Sequence, residues 1–137
     1  MAQNLWLNLP VRDLARSRAF FEALGFAIND RHGQSHMVSL VVGDPGVIVN
    51  LFPESAFAAM AGAGVSDAAK AAEVMLSLGA NSREEVDTLT RKAKAAGATV
   101  FGEPAEVQGW MYGSGFADLD GHRWNLLHMD MGRMPKG

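Results

Sequence analysis

The sequence predicts an α+β fold in which two consecutive βαβββ modules form a cupped eight-stranded mixed sheet around a cleft. Three observations carry this. The order strand, helix, three strands is legible twice. Each helix ends at a glycine, and Gly97 stands 72 residues (97 − 25) after Gly25, about half the chain, as an internal duplication would give. Between the halves, residues 53–71 are rich in Ala, Gly and Ser.

In the first half, "LWLNLPV" (5–11) alternates apolar and polar residues as a half-buried strand does. Asp13 caps a helix over 14–24, with Leu14, Phe20, Phe21 and Leu24 as its apolar stripe and Gly25 as its left-handed stop. Strands follow at "FAIND" (26–30), "HMVSLVVG" (36–43) and "GVIVNLF" (46–52), punctuated by the turn signals "RHGQS" and "GDPG". The connector holds a short helix and a flexible segment. In the second half "EVMLSLGA" (73–80) is the first strand. Ser82 and Glu85 make a capping box for a helix lined by Val86, Leu89, Ala93 and Ala96, with Lys92 and Lys94 in its last turn. "ATVF" (98–101), "WMYGSGFADL" (110–119) and "HRWNLLHM" (122–129) complete the module. The domain therefore spans 1–131, with module one at 4–53, a linker at 54–71, module two at 72–131 and a tail at 132–137.

Composition narrows the chemistry. With 137 residues, 48% of them hydrophobic and 20% charged, the chain suits one globular domain with a sizeable core. A net charge of −3 and the lack of a large Lys/Arg cluster argue against nucleic acid. No apolar run spans a bilayer and no secretory leader pattern is seen, so a cytoplasmic protein is expected. Zero cysteines exclude disulfides, thiolate ligands and cysteine nucleophiles together.

The segments "NLPVRDLARSRAFFEALGF", "SREEVDTLTRKAKAAGATV" and "GWMYGSGFADLDGHRWNLLHMD", in this order, resemble the vicinal oxygen chelate superfamily, which includes glyoxalase I, extradiol dioxygenases and the fosfomycin and bleomycin resistance proteins. The resemblance spans residues 4–131. Metal-dependent members hold one divalent ion with side chains from four strands, typically His, Glu, His and Glu. Carried onto this chain, those positions are Trp6, Asn50 or Leu51, Glu73 and Asn125. An indole, one or two neutral amides and one carboxylate are too few to repay dehydration of a divalent ion. The resemblance without its ligands implies a protein that binds a small organic molecule and uses no cofactor. The alternative is a lyase or isomerase resembling lactoylglutathione lyase, with an atypical divalent metal site or Glu73 as acid–base. A purely structural interaction module is a third reading.

Glu73 is the candidate catalytic residue: facing the cleft beside Trp6 and Met75 its carboxyl would be pushed up, whereas one register step away it is an exposed residue at a strand start. The candidate ligand-binding residues are Trp6, Asn8, Asn50, Trp110, Met111, Tyr112 and Asn125. Asn8 and Asn125 share the parity of the carried-over positions, and buried amides need partners. Trp110, Met111 and Tyr112 lie in "QGWMYGSG", whose glycines suggest a mobile loop at the mouth of the cleft. Asp118 and Asp120 in "ADLDGH" suit a tight turn that accepts backbone N–H bonds. His32, His36 and His122 suit exposed positions, and His128, out of phase with Asn125, points away from the cleft. No basic pair is placed for the carboxylates of glutathione, since Arg12, Arg16 and Arg18 fall on or beside the first helix. A homodimer is expected, with "FAAMAGAG" and the Met-rich tail as adhesive surface.

Overall fold

The computed structural model describes residues 4–29, 36–44 and 46–135. The expected turn "RHGQS", with His32, lies outside them. The fold is α+β and the βαβββ order occurs twice, in two compact units that meet between Asp67 and Ala68. No described helix is long and apolar enough to cross a membrane.

The first unit holds β1 (Trp6–Val11), α1 (Leu14–Leu24), β2 (Ala27–Asn29), β3 (Val38–Val42), β4 (Val47–Pro53) and α2 (Glu54–Ala61). Its sheet has the order β1-β4-β3-β2, with β1 parallel to β4 and the remaining pairs antiparallel. Asp13 caps α1 by accepting from the Arg16 backbone N–H at 3.0 Å, and Gly25, at φ 94°, closes it. The buried stripe is Ser17, Phe20, Phe21 and Leu24, at i, i+3, i+4 and i+7. Leu14, expected on that stripe, is only half-buried, because three residues before Ser17 the helix has just begun. Val11, Val38, Leu40, Val49 and Leu51 supply the buried apolar side chains of the sheet.

The second unit holds β5 (Met75–Gly79), α3 (Arg83–Ala95), β6 (Thr99–Val107), β7 (Met111–Ala117), β8 (Arg123–Met129) and a 3₁₀ turn at Met131–Arg133. Its order, β5-β8-β7-β6, repeats that of the first. Ser82 accepts from the Glu85 N–H at 3.1 Å, while the Glu85 carboxylate reaches back to the Asn81 N–H at 3.4 Å, so the capping box closes one residue early. Val86, Thr90 and Ala93 are the buried residues of α3. Thr90 takes the place expected of Leu89 because its hydroxyl is satisfied on both sides: it donates to the Val86 carbonyl (2.6 Å) and accepts from Ser114 of β7 (2.7 Å). Trp124 and Phe116 stack beneath the helix with centroids 6.5 Å apart. Gly121, at φ 89°, lets the segment at Ala68 and Ala69 lie against the β7–β8 turn; a Cβ there would stand 2.6 Å from the Ala69 nitrogen.

Candidate functional site

Strand alternation divides each sheet into a face packed on its helix and a face free of it. On β1 the helix-free face is marked by exposed Trp6 and Asn8, alternating with half-buried Leu7 and Leu9. Register then aligns Asn8 with Asn50, Asn50 with Ser39 and Ser39 with Asn29, a polar row that crosses all four strands. Three of its members are wired in one direction. Ser39 Oγ donates to Asn50 Oδ1 at 2.7 Å, and Asn50 Nδ2 donates to Asn8 Oδ1 at 3.1 Å. The amide of Asn50 is therefore engaged at both ends, and the row presents the Asn8 amide beside the Trp6 indole, which is 58% exposed. Sequence reasoning found the two asparagines but missed Ser39. Its signal was a lone hydroxyl inside the apolar run "MVSLVV".

In the second unit the helix-free face carries Met75 and Ser77 of β5, Arg123, Asn125 and Leu127 of β8, and Met111, Gly113 and Gly115 of β7. Asn125 is flanked by Ser77 on one side and Gly115 on the other. Its Oδ1 is buried and accepts no hydrogen bond. The glycines are required by what lies over them. A Cβ at Gly115 would meet the Phe101 ring at 2.5 Å, and one at Gly113 would meet Leu127 Cδ2 at 2.6 Å and the Leu126 carbonyl oxygen at 2.8 Å. Phe101 thus lies across β7, and the Arg123 guanidinium sits 4.7 Å from its ring centroid. Phe101 and Arg123 escaped the sequence reading; the period-two glycines of "YGSGF" were the available signal.

The remaining candidates are dispersed. Met111 shares the Asn125 face, whereas Tyr112 points to α3 and donates to Asp87 Oδ1 at 2.6 Å, with Arg83 5.0 Å above its ring. The Asp87 hydrogen bond, helped by burial and by the negative charge of Asp87, raises the Tyr112 phenol above its ordinary value against the opposing Arg83 charge. Trp110 is half-buried in the tight β6–β7 connection, where Gln108 (φ 57°) and Gly109 (φ 77°) turn the chain with two successive left-handed residues. Glu73 is exposed on a bend two residues before β5, outside the sheet.

The acidic and histidine residues at the chain's end have structural surroundings. Asp118 is buried and accepts from the N–H groups of Asp120 and His122 and from Trp124 Nε1, each at 3.0 Å. Burial raises its carboxyl above the ordinary aspartate value; the His122 charge and these hydrogen bonds oppose the rise. His122, expected exposed, is half-buried because its backbone closes the Asp118 turn on both sides, donating to the carboxylate and accepting from the Asp118 N–H at 2.9 Å. His128 lies on the Trp124 face, opposite Asn125, and its Nδ1 donates to the Ala80 carbonyl at 3.1 Å.

The superfamily's divalent ion does not fit the side chains at the carried-over positions. Trp6 has no lone pair to give, both ends of the Asn50 amide are engaged, Leu51 is a core residue, Glu73 stands outside its strand and Asn125 is neutral. Among the described residues no group of three or more His, Asp or Glu side chains is gathered.

Two βαβββ units of identical strand order, each with a polar residue set on its helix-free face, define a tandem-module α+β protein. Residues 3–43 match the family described as bleomycin resistance protein-like N-terminal. Hypothetical protein SA1046 from S. aureus is 41% identical, with 93% of this chain and 95% of that one covered and a TM-score of 0.83. A glyoxalase/bleomycin resistance protein/dioxygenase family enzyme from Burkholderia phytofirmans PsJN is 20% identical over 90% and 96% of the two chains (TM-score 0.76). A glyoxalase-related enzyme from Fulvimarina pelagi is 20% identical over 100% and 94% (TM-score 0.79). No curated protein is matched by the sequence. The chain thus has the fold of glyoxalase/bleomycin resistance protein/dioxygenase structures, and its N-terminal part matches the bleomycin resistance protein-like model.

Proposed function

We propose that this chain binds a compact, largely apolar organic molecule on the helix-free strand face of the second unit, around Asn125, without the divalent ion usual in glyoxalase-like proteins. One observation carries the reading: Asn125 Oδ1 is buried with no donor. Leaving an acceptor unsatisfied costs about 1–3 kcal/mol, a cost that a ligand N–H or O–H would offset. Around it, Met75, Met111 and Phe101 offer adaptable apolar contact; the first unit, by itself, presents the Asn8 amide beside the Trp6 aromatic plane. Asn50 supports Asn8 by holding its carbonyl oxygen. The protein is read as cytoplasmic.

The test uses Asn125→Leu, branched in the same way but larger and without the acceptor. Bleomycin, fosfomycin and a set of small aromatic amines serve as probes in thermal shift and NMR titration. A probe that stabilises the wild type in proportion to its concentration, and fails to stabilise Asn125→Leu, supports the reading. Binding that survives the substitution, or stabilisation by divalent ions alone, refutes it.

We also infer that two copies associate. Trp6, Met75, Phe101 and Met129 are all about half exposed or more, an unusual amount of large apolar surface on strand faces. Sedimentation equilibrium should give a dimer for the wild type and a monomer for Phe101→Glu with Met129→Glu. A monomeric wild type at micromolar concentration sinks this inference.

A further inference from the structure

The helix side of the second unit carries a separate pocket. Pairing of β6 with β7 slips twice, between Val100 and Gly102 and between Gly102 and Ala105, so Glu103 and Pro104 leave the ladder. Across from this bulge runs one stripe of α3, with Asp87, Arg91 and Lys94 at i, i+4 and i+7. Together with Tyr112 these elements line an open depression of about 350 Å³. That is the small end of the range for ligand pockets. Tyr112 is on the opposite face of β7 from Met111, so this pocket and the Asn125 face are distinct.

Its charges select among ligands. Asp87 and Glu103 balance Arg91 and Lys94, so the lining is neutral in sum but divided by sign. An inorganic dianion would meet two carboxylates, a divalent cation would meet two cations, and an apolar guest would desolvate four charges without replacing their water. Asp87 is already engaged by the Tyr112 hydroxyl. Arg91, which donates a 3.3 Å hydrogen bond to Thr88 Oγ1, Lys94 and Glu103 form no ion pair with any described residue. A ligand that satisfies both signs at once carries a carboxylate and an ammonium a few bonds apart.

We propose that this pocket binds a free α-amino acid with a compact side chain, its carboxylate on Arg91 and Lys94 and its ammonium on Glu103, over a floor made by the Tyr112–Asp87 pair.

The experiment is NMR titration of the full-length protein with glycine, alanine, serine, threonine, valine and proline. N-acetyl and amide derivatives of the same compounds, which lack one charge each, and inorganic phosphate are the controls. At least one free amino acid binds with a dissociation constant of about a millimolar or tighter and shifts the amides of residues 87–94 and 103–104. Both single-charge derivatives bind about tenfold more weakly or worse, as do Lys94→Gln and Glu103→Gln with the free amino acid. Asn125→Leu leaves this binding unchanged. The proposal is overturned if no compound in the set shifts these amides, or if the N-acetyl derivative or phosphate binds as well as the free amino acid.

Discussion

Gly115 and Phe101 share one space on the second sheet: a Cβ on residue 115 would stand 2.5 Å from Phe101 Cε1. The absence of a side chain on β7 is what lets an aromatic ring from β6 lie over the strand and meet Arg123. Gly113, two residues earlier, is constrained differently, because the nearest atoms include the Leu126 backbone oxygen at 2.8 Å. Phe101 is 49% exposed and its ring can swing outward, whereas a backbone carbonyl in mid-sheet cannot. Gly115→Ala should therefore cost about 1 kcal/mol, chiefly the lost ring and guanidinium contacts, and Gly113→Ala about 2–3 kcal/mol. Urea unfolding of the two variants checks this, and equal losses would contradict the distinction.

The wiring of the polar row on the first sheet makes Asn50 its pivot. Asn50→Leu leaves the buried Ser39 hydroxyl without its acceptor and should destabilise by about 1–3 kcal/mol. Asn50→Asp keeps that acceptor, and Asn8 can rotate its amide to donate to the new carboxylate, so it should cost about 1 kcal/mol or less at neutral pH. Comparison of melting temperatures decides between a directional network and simple packing.

Asp118 gives a pH dependence of unusual sign for a hydrogen-bonded carboxylate. Its pKa is raised in the folded state, chiefly by burial, so between the unfolded and folded values the folded protein holds more protons than the unfolded chain. Stability from this group is present below the unfolded value and is lost as pH rises through the folded one. The difference in unfolding free energy between wild type and Asp118→Asn should accordingly shrink as pH rises from the ordinary aspartate value through the raised one. A difference that grows over this interval would mean that the three hydrogen bonds and His122 outweigh desolvation.

Tyr112 is the only tyrosine of the chain, so phenolate absorbance reports it alone. The midpoint should lie above the ordinary tyrosine value, because the hydroxyl donates to Asp87 and ionisation would break that bond. Asp87→Asn should lower the midpoint, and a midpoint unmoved by that substitution would remove Asp87 as the cause.

Local sequence determined the elements of this protein. Asp13, Ser82, Gly25 and Gly97 act within one helical turn of themselves, and their capping chemistry placed α1 and α3 as observed. Period-two alternation placed Trp6 with Asn8 and separated Asn125 from His128, since parity along a strand needs no knowledge of its neighbours. The D-x-D-G turn was legible for the same reason, with every backbone partner of Asp118 within four residues.

Only the tertiary structure decided what those residues meet. Ser39 and Asn50 are eleven residues apart and Asn8 a further forty-two, and nothing in "MVSLVV" states which strand will lie beside it. Tyr112 and Met111 are neighbours in sequence, yet one pairs with α3 and the other shares the Asn125 face. Glu73 fell outside β5 because the strand begins where pairing with Arg123 begins, at Met75, and not where the apolar pattern does. Register, the helix that covers one face of a sheet and the bulge that opens a pocket are all non-local choices. They arise from the packing of segments that share no local signal.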